Sequence, residues 1–150
     1  MLVIGESAPA ISLPDQASSP FDLASHLGHR VLVYFYPRAD TPGCTQQACG
    51  LRDAMGSIGD TVVVGVSPDK PAALTRFREK YHLDFTLLSD VDHAVAEAYG
   101  VWQEKKLYGK VSMGIVRSAF LIGATGDLEQ VWYKISPKDT PVRLIEALSE

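Results

Sequence analysis

Apolar positions along the chain fall into two kinds of run. Residues 30–36 (RVLVYFY) and 61–66 (TVVVGV) are unbroken β-branched and aromatic stretches, the composition of strands buried on both faces, and both are expected at the centre of a sheet. Elsewhere the apolar residues recur at helical spacing. Leu74, Phe77 and Tyr81 share one face of a helix predicted over residues 71–81, and Val91, Ala94, Val95 and Ala98 share a face of another that Gly100 stops. Residues 44–55 lack strand alternation and follow Pro42-Gly43, so a helix beginning near Cys44 connects the two central strands. Residues 119–122 and 128–133 flank a turn-rich Gly-Ala-Thr-Gly-Asp link and predict an antiparallel hairpin. Residues 12–20 read as an early loop or hairpin. Thr140 is read as the cap of a last helix, with Pro141 at its first position and Val142, Ile145 and Leu148 inward.

This alternation predicts one α/β domain over residues 1–150, a mixed central β-sheet flanked by helices on both faces. The loops after its strand ends are natural places for chemistry. A length of 150 residues with 46% hydrophobic and 21% charged residues suits a single domain with a sizeable core. The formal net charge of −4 provides no broad basic face for nucleic acid or an anionic membrane, so those partners are excluded. The first residues hold neither a basic segment nor a long apolar run, and a cytoplasmic location is expected. In that compartment thiols are kept reduced, so two closely spaced cysteines read as a redox pair rather than a permanent staple.

That pair lies in Tyr36-Pro-Arg-Ala-Asp-Thr-Pro-Gly-Cys44-Thr-Gln-Gln-Ala-Cys49, which runs from a buried strand into a helix. Cys44 falls in the first helical turn, where unpaired N–H groups and the positive end of the helix dipole favour a thiolate, the form that attacks an O–O bond. A lowered Cys44 pKa is expected from that position. Thr41 can turn a hydroxyl to the same pocket, Gly43 and Cys44 can offer backbone N–H groups, and Pro37 and Pro42 shape the loop. Prolines at strand and helix ends also serve simply as boundaries. Cys49 stands five positions on, which in an unbroken helix separates the Cα atoms by roughly 8.7 Å and the side chains by about 140°. A disulfide spans at most about 7 Å between Cα atoms, so a Cys44–Cys49 bridge requires local unwinding, which Gly50 eases.

These residues resemble the peroxiredoxins, and among them the atypical two-cysteine, Q-type or bacterioferritin-comigratory group. Pro37, Thr41 and Cys44 stand as the P-x-x-x-T-x-x-C signature, TPGCTQQACGLRD carries the second cysteine of the subgroup, and the likeness continues through RSAFLI near Arg117 to the last helix. The resemblance implies a thioredoxin-like fold and a metal- and flavin-free thiol mechanism. It implies hydrogen peroxide and alkyl hydroperoxides as substrates and thioredoxin or a glutaredoxin-like dithiol protein as reductant. By position, Cys44 resembles the peroxidatic cysteine and Cys49 the resolving one, while Thr41, Pro37 and Arg117 resemble peroxide-site residues, Arg117 supplying a cation and donors. Gln47 stands where many relatives have Glu, which removes a charge facing any site arginine, and Ala119 where many have Thr. No cysteine occurs near the C-terminus, which argues against an intersubunit disulfide, and a monomer is expected.

Two other readings of the same cysteines remain. A thioredoxin-type disulfide oxidoreductase uses C-x-x-C, whose sulfurs meet without unwinding, unlike the spacing here. A redox sensor reacts once and passes the remodelled helix to a partner. Arg38 and Arg52 flank the motif as ordinary surface charges. His26, His29, His82 and His93 form no ligand set for a metal, and Trp102 and Trp132 read as core or rim packing.

Overall fold

The computed structural model describes residues 1–149. In chain order it contains β1 (Ser12–Pro14), β2 (Pro20–Asp22), β3 (Val31–Phe35), α1 (Pro42–Ala54), β4 (Val62–Ser67), α2 (Pro71–Lys80), β5 (Thr86–Ser89), α3 (Ala94–Ala98), β6 (Trp102–Leu107), β7 (Lys110–Ile115), β8 (Ser118–Ile122), β9 (Leu128–Trp132) and α4 (Asp139–Leu148). The two apolar runs are β3 and β4. They pair in parallel at the heart of a five-stranded mixed sheet of order β5-β4-β3-β8-β9, in which β8 and β9 are antiparallel.

Every residue of β3 is buried because each face of the sheet carries its own core. Val31, Val33 and Phe35 join Val64, Val66, Phe120 and the α3 residues Val95 and Ala96 on one side. Leu32 and Tyr34 meet Cys44, Ala48 and Leu51 of α1, Leu74 and Phe77 of α2, and Leu144 of α4 on the other. This is the α/β architecture with helices on both faces that the alternation predicts. The two apolar layers follow from the period of two along β3. Gly65 is required in β4 because a Cβ there would lie 2.7 Å from the Tyr34 ring.

Three local readings change. Helix α3 spans only Ala94–Ala98, and its inward residues are Val95 and Ala96, while Val91, Ala94 and Ala98 are exposed. The buried Asp90 carboxylate accepts from Val95 N and Ala96 N at 3.2 and 2.9 Å, and His93 at φ 51° starts the helix after Val91. Helix α4 begins at Asp139 with Lys138 at its cap, so Thr140 lies inside it and is buried with Leu144, four residues on. Val142 and Ile145 face solvent, and Leu148 is partly buried against the core as expected. The hairpin β6–β7 was not legible as apolar alternation, since its middle is Glu104-Lys105-Lys106. Its turn, Tyr108-Gly109, has positive φ at both residues, 53° and 75°, the pattern of a type I′ hairpin turn. Residues 12–22 do form a hairpin, and β8–β9 is the antiparallel pair expected.

Candidate active site

The site assembles at the C-terminal end of β3. After Phe35 the chain passes Tyr36 and the half-buried Pro37, and enters α1 at Pro42. Thr41 is the extended N-cap, and the first helical bond runs from Thr45 N to Thr41 O at 2.8 Å. Pro42 has no N–H, so the N–H groups of Gly43 and Cys44 lie ahead of that bond and point out of the helix start. The Thr41 hydroxyl donates to Arg38 O at 2.8 Å, which leaves its lone pairs as acceptors. Cys44 is 2% exposed and packs with the α1-side core.

Arg117 reaches the same place from 73 positions away. Because β8 runs antiparallel to β3 with Ser118 opposite Phe35, the residue before Ser118 is delivered to the edge where α1 starts. Its Nη2 donates to Cys44 Sγ at 3.3 Å and its Nη1 to Gln47 Oε1 at 2.7 Å. Gly43 keeps the approach open, since a Cβ there would lie 3.2 Å from Arg117 Nη2. Gln47 is fully buried, and its amide oxygen supplies the acceptor that a carboxylate would otherwise offer the arginine. Its Nε2 donates to Thr140 Oγ1 of α4 at 2.9 Å. Ala119, the other departure, is fully buried in β8 opposite Tyr34.

Cys49 is half-buried on the same continuous helix, and both thiols are free. The structure is therefore that of the wound, dithiol form. Burial pushes the Tyr34 and Tyr36 hydroxyls up, so both rings wall the sulfur as neutral groups. Lys105 of β6 is a further cation near the site: burial and then repulsion from Arg117 lower its pKa, and the Cys44 sulfur opposes them. Neither Lys105 nor Thr140 was singled out from the sequence. Lys105 sits in a charged run like any surface hairpin, and Thr140 looked like a helix cap.

The remaining candidates lie elsewhere. Arg52 donates to Tyr81 O at 2.6 Å and to Asp53 at 3.0 Å, and Arg38 is exposed. Trp102 stacks on His93 with ring centroids 3.8 Å apart. Among the described residues no three His, Cys, Asp or Glu side chains gather in a way that would hold a metal ion.

Residues 4–131 match the AhpC/TSA family. Peroxiredoxin Bcp of Escherichia coli strain K12 is 54% identical over 87% of this chain and 85% of its own length. A Haemophilus influenzae protein named putative peroxiredoxin bcp is 48% identical over 98% of this chain and 96% of its own. The chain is a Bcp-type peroxiredoxin of the AhpC/TSA family. Solved structures agree. A cysteine-to-serine mutant of Xylella fastidiosa PrxQ superposes with a TM-score of 0.92 at 26% identity, covering 99% of this chain and 96% of that one. The Xanthomonas campestris bacterioferritin comigratory protein, described for its alkyl peroxide reduction activity, gives 0.87 at 31% identity, covering 93% and 90%. As a peroxiredoxin this chain is a thiol-dependent peroxidase with a thioredoxin-like fold, and the spacing argument against a C-x-x-C reductase stands with that membership.

Proposed function

We propose that this peroxiredoxin reduces hydrogen peroxide and alkyl hydroperoxides with Cys44 as the attacking thiolate and Cys49 as the resolving thiol. The observation that carries the reading is the 3.3 Å contact from Arg117 Nη2 to Cys44 Sγ at the first turn of α1. A guanidinium there favours the anion by a charge-assisted hydrogen bond, and the free N–H groups of the helix start act in the same sense. The thiolate attacks the terminal peroxide oxygen. An S–O bond forms, the O–O bond breaks, and sulfur is oxidised by two electrons to sulfenic acid while the departing oxygen takes a proton and leaves as water or alcohol. Arg117 and the N–H groups face the oxygens as charge develops. Thr41, its proton held by Arg38 O, accepts the peroxide O–H, and Pro37 shapes the wall.

Cys49 then attacks the sulfenic sulfur, and an S–S bond forms as water leaves. Since both cysteines belong to one helix, this step follows unwinding of α1, and the unwound disulfide is what thioredoxin or a glutaredoxin-like dithiol protein reduces. The chain needs no second copy for this cycle and acts as a monomer in the cytoplasm. Supporting the single-chain cycle is that both thiols are free and lie on one helix. The test is peroxide consumption with dimedone trapping and mass spectrometry. Cys44→Ser abolishes consumption and labelling, whereas Cys49→Ser still accumulates a labelled sulfenic acid but fails to recycle through a disulfide. Equal labelling and equal loss in both variants would reject the separate roles.

A further inference from the structure

We propose that Thr140, on α4, is a positioning residue of the peroxide site: through Gln47 it forms a directional hydrogen-bond relay that holds Arg117 against Cys44 while α1 is wound and releases it when α1 unwinds. The inference rests on the peroxidase reading above and extends it to a helix remote in sequence.

Direction follows from the chemistry of each group. Arg117 has only donors, so the group at 2.7 Å from Nη1 must be an acceptor, and the Gln47 amide turns Oε1 to it. That choice sends Nε2 the other way, where a buried N–H needs an acceptor of its own. Thr140 Oγ1 is that acceptor at 2.9 Å, and its single hydroxyl proton is committed to Ser136 O at 2.9 Å. Each member thus has one permitted orientation: guanidinium to amide oxygen, amide N–H to hydroxyl oxygen, hydroxyl to carbonyl. Gln47 and Thr140 are 0% and 1% exposed, so water does not substitute for a missing partner.

Beyond Arg117 the relay is neutral: an amide, a hydroxyl and a backbone carbonyl. A carboxylate at position 47 would draw on the field of Arg117, and it would present an acceptor to a Thr140 oxygen whose proton is already spent. The amide avoids both, leaving the arginine charge for the sulfur. The departure at Gln47 and the hydroxyl at Thr140 are therefore chemically matched. The two helices approach closely at Gly50, where a Cβ would lie 3.1 Å from Pro141 Cγ.

Gln47 lies between Cys44 and Cys49, inside the segment that must unwind for the disulfide. Its bonds to Arg117 and Thr140 exist only in the wound state, so they assist the peroxide step and oppose the closing step. Thr140→Val, which keeps shape and removes the acceptor, separates the two. In rapid-mixing experiments the rate constant with hydrogen peroxide falls about tenfold, as loss of a buried hydrogen bond predicts, while closing of the disulfide becomes faster. The reaction of Cys44 with iodoacetamide, at the plateau of its pH profile, stays within about twofold, because that reagent does not use Arg117 as an oxygen donor. Thr140→Ser keeps the relay and returns both the peroxide step and the disulfide-closing step to wild-type rates. If wild type reduces peroxide and Thr140→Val matches it, or if Ser is no better than Val, the relay is overturned and the peroxidase reading survives. If wild type itself does not reduce peroxide, both fall.

Discussion

At the scale of single residues, the site is a small set of donors aimed at one sulfur. Arg117 makes two bonds in a fixed fork, one to the Cys44 sulfur and one to the Gln47 amide, which a lysine ammonium does not reproduce. Arg117→Ala is expected to lower the peroxide rate constant by about 10- to 100-fold, the range for loss of a charged donor, and Arg117→Lys to recover little of it. Stopped-flow measurement checks this, and a loss below about threefold for Ala would remove Arg117 from the site. That Cys44, Cys49, Thr41 and Pro37 fall together around the start of one helix was legible in the sequence, because they lie in one short segment. Thr140 was not, because its role depends on a partner 93 positions away.

Helix α1 is the element that couples chemistry to fold. It carries Cys44 in its first turn and Cys49 five positions on, so the wound helix and a Cys44–Cys49 disulfide would exclude each other. Arg52, next along the helix, donates to Tyr81 O at the end of α2 and marks where unwinding should stop. Hydrogen exchange on the two redox forms is expected to show amides 44–51 protected in the dithiol form and much less so in the disulfide form, with protection persisting in β3 and β4. Equal protection over this segment would mean that the bridge closes without unwinding. The boundaries of α3 and α4 were misplaced for a related reason: a buried aspartate cap and a buried threonine override the apolar pattern that periodicity alone reads.

For the whole molecule, the core on the α1 face of the sheet, one of two, is also the surroundings of Cys44. Leu144 of α4 is fully buried in the same apolar cluster as Cys44, Ala48 and Leu51 of α1, so the wound helix is part of what α4 packs on. Leu144→Ala is expected to cost about 2–5 kcal/mol in the dithiol form and distinctly less in the disulfide form, where α1 has already given up part of that packing. Urea unfolding of each form measures the difference, and equal costs would show that α4 keeps its contacts through oxidation.

By itself the sequence determined the layered α/β plan, the central place of β3 and β4, and a cysteine at a helix start. These follow from local physics: β-branched runs bury on both faces, and a proline-glycine step before a helix leaves free N–H groups beside Cys44. The resemblance had already pointed to Arg117, and the tertiary structure decided how it reaches that sulfur and which remote group stands behind Gln47. Arg117 arrives because β8 pairs antiparallel with β3, and Thr140 because α4 lies across α1. Strand register and helix packing join residues far apart in the chain, and no spacing along the sequence records the direction in which a strand returns.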